Sequence, residues 1–389
     1  MATKPIYLDY MATTPVDPTV IARMLPYLGP DGIYANATSQ HSPGQQAALA
    51  VETARAEIAQ SVGTSPDSLV FTSGATEANN LAILGTARFY QRKGQHLITM
   101  STEHKSVLEP FQQLEREGFS VTYLAPQASG VLDLNLLQSA IRPDTILVSI
   151  MHVNNEIGVT QDIAAIGQLL SDRGIIFHVD AAQSAGRLPL NLNTLPVHLM
   201  SFSAHKNYGP KGVGALYIRQ KPRIRLQALM FGGGQEQGLR AGTLPTHQIV
   251  GMGAAFALSE SLRVTEQARI LELRQHLWKN LQTIPGIVCN GSMDTRVTGN
   301  LNISIPGIDG AELLPAVYPL ALSSMTACAA NSHQPSYVLR ALGVDNDLAK
   351  STLRISIGRF TTREQIDSAF VIIRDAIIVL RKNGPIHSS

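Results

Sequence analysis

From about residue 45 to residue 260, short apolar runs alternate with longer amphipathic ones, a rhythm that confines the chain to an α/β architecture. Ser68 to Thr72 and His96 to Met100 read as strands, and Thr145 to His152, Gly174 to Val179 and His198 to Ser203 are apolar runs bounded by polar turns. Such runs predict parallel strands buried on both faces. Ala47 to Val62 and Thr76 to Arg92 read as helices. After about residue 260 the texture changes. A helix is expected over Ser259 to Thr283 and a strand in NLNISIPG. A last helix is expected from Arg363 to Lys382, with Ile366, Phe370, Ile373, Ile377 and Leu380 on one face. Thr361 with Glu364 suggests its capping box, and Gly384-Pro385 its end. The expectation is a large domain over 16–258 and a smaller α+β domain made of 1–15 and 259–389.

Hydrophobic residues make up 44% of the 389, enough for sizeable cores. Lys and Arg total 31 against 29 Asp and Glu, a formal net charge of +2, which argues against nucleic-acid binding through one broad basic face. The two cysteines, Cys289 and Cys328, exclude a disulfide framework and a multi-thiolate metal site built by this chain alone. No apolar run approaches the roughly 18–20 residues of a membrane span, and the N-terminus lacks a signal-peptide core. The expected location is the cytoplasm.

Thr72-Ser73-Gly74-Ala75-Thr76-Glu77 lies between an expected strand and an expected helix. Backbone N–H groups at that helix start, with hydroxyls beside them, can bind an anion; a tight turn with an N-cap is the other reading. Neither G-x-x-x-x-G-K-[ST] nor G-x-G-x-x-G opening an early helix is present, so a phosphate without a nucleotide is the better fit. Asp180 ends one apolar strand, and is either a surface turn residue or an anion facing a cationic ring nitrogen. Lys206 follows another, in Ser201-Phe202-Ser203-Ala204-His205-Lys206. It is either a solvated charge or a Schiff-base lysine whose pKa is lowered by desolvation and nearby cations. A phosphate cradle, a strand-end carboxylate and a strand-end lysine are together the parts that hold pyridoxal 5'-phosphate.

The stretches YLDYMATTPVDP, VFTSGATEANNLAI, TEHKSV, MHVNNEIGVTQDI, FHVDAAQSAG, SFSAHKNYGPKGVGALY, GGGQEQGLRAGTLP and PSYVLRALG run through nearly the whole chain. In them the chain resembles the cysteine desulfurases of the class V aminotransferase fold, of the iron–sulfur cluster assembly type. The resemblance implies a pyridoxal-phosphate-dependent transferase of fold type I, with a mainly parallel seven-stranded sheet in the large domain and a cysteine loop over 322–335 in the small one. It implies that Lys206 carries the cofactor and that Ala75, Thr76, Ser203 and His205 hold its phosphate. Thr243 would reach the phosphate bound in the other subunit of a homodimer. Asp180 would pair with the ring nitrogen, Gln183 would bond the ring oxygen, and His104 would stack on the ring and act in acid–base steps. Asn155, beside the cofactor, and Arg354 would hold the substrate carboxylate. Cys328, read without the family as either a buried inert thiol or a nucleophile, matches the loop cysteine that attacks the sulfur of L-cysteine. Alanine and a persulfide on Cys328 would result. Cys289 reads as structural.

A sulfur-acceptor protein, either an iron–sulfur scaffold or a sulfur carrier, is the implied partner, with no direct nucleic-acid or membrane contact. The sulfur would serve iron–sulfur clusters or thiolated tRNA and cofactors. The chain departs from the family's pattern at Met325, Ala329-Ala330 and Gln334 in the loop, at Ala35-Asn36-Ala37, and in the closing RKNGPIHSS. Those departures predict an acceptor other than the usual scaffold. Selenocysteine lysis or transamination on the same fold, and partner binding with weak turnover, are the alternatives. A thiol on a long polar loop favours desulfuration, because transamination needs none.

Overall fold

The computed structural model describes residues 5–324 and 335–383. Cys328 and the loop departures at Met325, Ala329, Ala330 and Gln334 lie outside the described residues, as does the Gly384-Pro385 stop. A seven-stranded sheet runs in the order Leu69–Thr72, Gly214–Ile218, Leu199–Ser203, Ile176–Asp180, Thr145–Ser149, His96–Met100, Ser120–Leu124. Gly214–Ile218 is antiparallel to both neighbours, and the other pairings are parallel. Successive side chains point to opposite faces. Leu97, Leu147, Ile176 and Leu199 therefore enter one core, while Ile98, Val148, Phe177 and Met200 enter the other. Two covered faces explain why these strands read as unbroken apolar runs.

A four-stranded antiparallel sheet, Ser323–Ser324, Thr352–Ser356, Asn300–Ser304 and Val288–Cys289, carries a separate core with the helix Arg363–Asn383. The N-terminal strand Ile6–Tyr7 pairs parallel with Leu320–Ala321, and Asp9 bridges to Ser356. Among the described residues, no helix is long and apolar enough to cross a membrane.

Two expectations shift. The helix expected from Ser259 begins at Thr246 and runs to Leu281. Its first part is rich in glycine and alanine because it lies against the helix Ser42–Val62: a Cβ on Gly253 would sit 2.7 Å from the Ala54 Cα. Close backbone approach, not periodicity, dictates that stretch. The capping box of Arg363–Asn383 lies one residue later than expected. The Thr362 N–H donates to Gln365 Oε1 at 3.1 Å, and the Gln365 N–H donates to Thr362 Oγ1 at 3.3 Å. Thr361 instead accepts from the Gly358 N–H at 3.1 Å.

Candidate active site

The parallel strands bring their C-terminal ends to one edge of the large sheet, where ligands of such sheets gather. The chain leaving those ends lines a cavity of about 670 Å³ with Ala75, Thr76, His104, Asn155, Asp180 and Lys206. Gln183, Ser203, His205 and Arg354 also face it. Thr243 does not; it is exposed on the chain before Thr246.

The helix Ala75–Tyr90 opens on Gly74, whose φ of +150° suits glycine, and no side chain caps its first N–H groups. Of the two readings of this turn, the capped one therefore fails. The orphan N–H groups face the same cavity as Ser203 and His205, an arrangement of donors that can receive an anion. The turn needs a bare neighbour as well: a Cβ on Gly214 would fall 2.7 Å from the Gly74 Cα. His205 Nδ1 lies 3.0 Å from Thr13 Oγ1, and burial, followed by Lys206 and Lys211, pushes its pKa down to about 4.

Asp180 is buried, and its carboxylate is held from two sides. Oδ1 accepts the Ala182 N–H at 2.9 Å and Oδ2 accepts Asn79 Nδ2 at 2.8 Å. Asn79 Nδ2 also reaches Ser106 Oγ at 2.9 Å, and Ser106 Oγ lies 2.8 Å from His104 Nδ1. The Ser106 N–H donates to the same Nδ1 at 3.1 Å. That nitrogen is thus an acceptor, which leaves the proton of the neutral ring on Nε2. Burial disfavours the imidazolium, so the pKa of His104 is lowered although the ring borders the open cavity.

Lys206 ends a short 3₁₀ turn, Ala204–Lys206, directly after the strand Leu199–Ser203. Its Nζ donates to the backbone oxygens of Met11 and Ala12, each at 2.7 Å. Burial, then the cations Arg187 and Arg354, push its pKa down to about 8 against Asp180 and Asp9. Arg354 donates to the Asn155 backbone oxygen at 2.9 Å and pairs with Asp9 at 2.8 Å. Its Nε and the Asn155 Oδ1 are buried without a partner among the described residues.

Sequence reasoning missed Asp9, Asn79, Ser106 and the Met11-Ala12 carbonyls. A hydroxyl or amide in a helix gives no signal of the strand end it faces. Asp9 stood in the quoted YLDYMATT stretch, but its partner Arg354 lies 345 residues away. Cys289 is half-buried with its thiol pushed up by burial, as suits a structural residue.

The family model of the class-V aminotransferases matches residues 6–369, and the chain belongs to that family. Within it, the chain is 56% identical over 383 residues to the cysteine desulfurase IscS of Salmonella schwarzengrund (strain CVM19633), covering 98% of this chain and 95% of that one. A solved NifS-like protein superposes with a TM-score of 0.90 at 34% identity, covering 97% of this chain and 100% of that one. SspA in complex with cysteine superposes with a TM-score of 0.81 at 38% identity, covering 92% of this chain and 99% of that one.

Proposed function

We propose that the protein is a pyridoxal-phosphate-dependent cysteine desulfurase that converts L-cysteine to L-alanine and holds the sulfur as a persulfide on Cys328. The observation that carries this reading is the meeting, in one cavity, of an uncapped helix start, a fixed carboxylate and a lysine with a depressed pKa. The donor set fits the cofactor: Ala75, Thr76, Ser203 and His205 for the phosphate, Asp180 for the ring nitrogen, Gln183 for the ring oxygen and Lys206 for the aldehyde. When bound, the cofactor supplies an electron sink for the substrate Cα.

The chain's own groups do the rest. Lys206, neutral for part of the time near pH 8, can take the Cα proton and return one. Asp180 stays oriented because Asn79 and the Ala182 N–H hold both its oxygens. Arg354, with its unpartnered Nε, and Asn155, through its amide nitrogen, would hold the substrate carboxylate. Cys328 lies outside the described residues. Ser323, where the chain heads toward it, contacts Arg354 and Asp9. The Cys328 thiolate attacks the substrate Sγ, the Cβ–Sγ bond breaks as the S–S bond forms, and a proton on carbon completes alanine.

A homodimer fits the exposed Met230 and Phe231, and Thr243 on the same stretch would serve the other subunit's site. A cytoplasmic location and a protein acceptor of sulfur, for clusters or thiolated tRNA and cofactors, complete the reading. The purified protein is expected to show the cofactor's near-ultraviolet/visible band, and Lys206→Ala to lose it. With a reductant, cysteine should yield alanine and sulfide. Cys328→Ser should stop sulfide release and keep the band; full release from that variant would overturn the nucleophile assignment.

A further inference from the structure

Two residues of the site meet, behind it, at a third that no motif singles out. Arg187 lies in the turn that leaves Asp180. Its Nη1 donates to the Gln183 backbone oxygen at 2.9 Å and to Gln183 Oε1 at 2.5 Å. Its Nη2 donates to the backbone oxygens of Tyr10 at 3.3 Å and Lys206 at 3.2 Å. All four bonds end on amide oxygens, and no carboxylate among the described residues pairs with this guanidinium. Solvent reaches part of the side chain, but protein encloses the guanidinium and lowers its pKa. Glu266 opposes that shift but is itself paired with Arg359, and an enclosed cation bonded to amide oxygens alone costs stability, so its position against Lys206 calls for a use.

We propose that Arg187 is a positioning residue for the lysine reaction: its fork holds the Lys206 backbone oxygen and turns the Gln183 amide toward the Met11 oxygen to which the Lys206 amine also donates, so that a fixed cation stands next to that amine. The inference rests on Lys206 being the cofactor's attachment residue. Arginine has donors only, so the Gln183 oxygen must face it. The Gln183 Nε2 is left to donate to the Met11 oxygen at 2.8 Å and toward the cavity that Gln183 lines. Gln183 thereby offers a donor, which a ring oxygen requires. For Lys206, burial acts first, Arg187 and Arg354 act with it, and Asp180 and Asp9 oppose it. His104 and His205 also face the amine, and burial keeps both neutral near pH 8. Arg187 is therefore a permanent charge that no pH change near neutrality removes.

The test reads the amine directly, in full-length protein stripped of cofactor. Lys206 is acetylated with an amine-reactive ester across a pH series, and its labelling rate is followed by mass spectrometry. The wild-type midpoint is expected near pH 8. Arg187→Met should move it about one pH unit alkaline, slowing labelling roughly eightfold at about pH 7.5. Arg187→Lys keeps a cation and should hold the midpoint, while weakening cofactor binding through the lost Gln183 contact. An unshifted midpoint in Arg187→Met, or an equal shift in Arg187→Lys, overturns the proposal. Failure of both variants to fold also counts against it, because a positioning role requires a folded protein with altered lysine chemistry. Absence of a cofactor band in the wild type would sink the Lys206 reading and leave the labelling midpoints standing, so the two failures are distinguishable.

Discussion

At the scale of single residues, the site was legible where a polar side chain ends an apolar strand. Asp180 and Lys206, each readable alone as a surface residue, stand out because a phosphate cradle, a strand-end carboxylate and a strand-end amine occur together. Their supports did not stand out, because Asn79, Arg187 and Asp9 reach them from other parts of the chain. Glu156 is a further silent residue. It is buried beside Asn155, and its Oε2 accepts from Ser336 Oγ at 2.5 Å. Burial pushes its carboxyl up to about 7, while the Ser336 hydroxyl and Arg354 pull it down. A carboxyl whose folded pKa exceeds its unfolded value of about 4.5 keeps its proton in the native state after the unfolded chain has lost it. Its contribution is thus complete below about pH 4.5 and is lost as the pH rises to about 7. The loss is on the order of 3 kcal/mol at about 1.4 kcal/mol per unit. Glu156→Gln retains an acceptor for Ser336 and removes the proton. Its stability relative to wild type should therefore rise between about pH 5 and about pH 8. Urea unfolding at several pH values measures this, and parallel curves for the two proteins would contradict it.

Elements were legible where their pattern is their own. His96–Met100 falls where its sequence predicts it, since a strand buried on both faces is mainly apolar and its two polar residues, His96 and Thr99, are hydrogen-bonded. The strands Ser120–Leu124 and Gly214–Ile218 went unread. The first is a partly exposed edge of mixed polarity, and the second follows the lysine turn in a run of glycines. The short helix Tyr337–Ala341 shows how much an element can owe to one side chain. Five residues are too few to hold a helix by propagation. Ser336 Oγ accepts from the Val338 and Leu339 N–H groups at 3.1 and 3.2 Å while it donates to Glu156. Tyr337 adds a bond from its hydroxyl to the Glu103 backbone oxygen at 2.7 Å, next to His104. Ser336→Ala removes the cap and the bond to a buried carboxyl, a combined cost of roughly 2–3 kcal/mol. Amide hydrogen exchange should quicken at Val338 and Leu339 well before it changes in the large sheet. Unaltered protection at those two amides would show that the helix does not depend on its cap.

For the whole molecule, hydrogen bonds join the small sheet to the large one's loops at many points, and Arg359 gathers several of them. Its Nη1 pairs with Asp17 at 2.9 Å, its Nε with Glu266 at 2.8 Å, and its Nη2 reaches Ser259 Oγ at 3.1 Å. The guanidinium lies 4.0 Å from the centre of the Tyr208 ring, and Tyr208 follows Lys206 by two residues. One side chain beyond the small sheet thus grips the start of the helix Pro18–Met24, the long helix and the chain that leaves the lysine turn. Burial opposes ionisation of Asp17, but the Thr19 N–H and Arg359 hold its pKa below the usual carboxylate value. Truncation of Arg359 would leave Asp17 and Glu266 as enclosed carboxylates without their cation. The expected cost for Arg359→Ala is about 3–5 kcal/mol. Arg374 supplies the comparison, because its pair with Asp375 is solvent-exposed and worth about 0–1 kcal/mol. Denaturant midpoints of the two alanine variants therefore discriminate between a joint and an ornament. Near-equal losses would mean that Arg359 adds nothing beyond the other hydrogen bonds and apolar contacts that join the sheets, and the larger loss at Arg359 is what a charge shared among three separate segments requires.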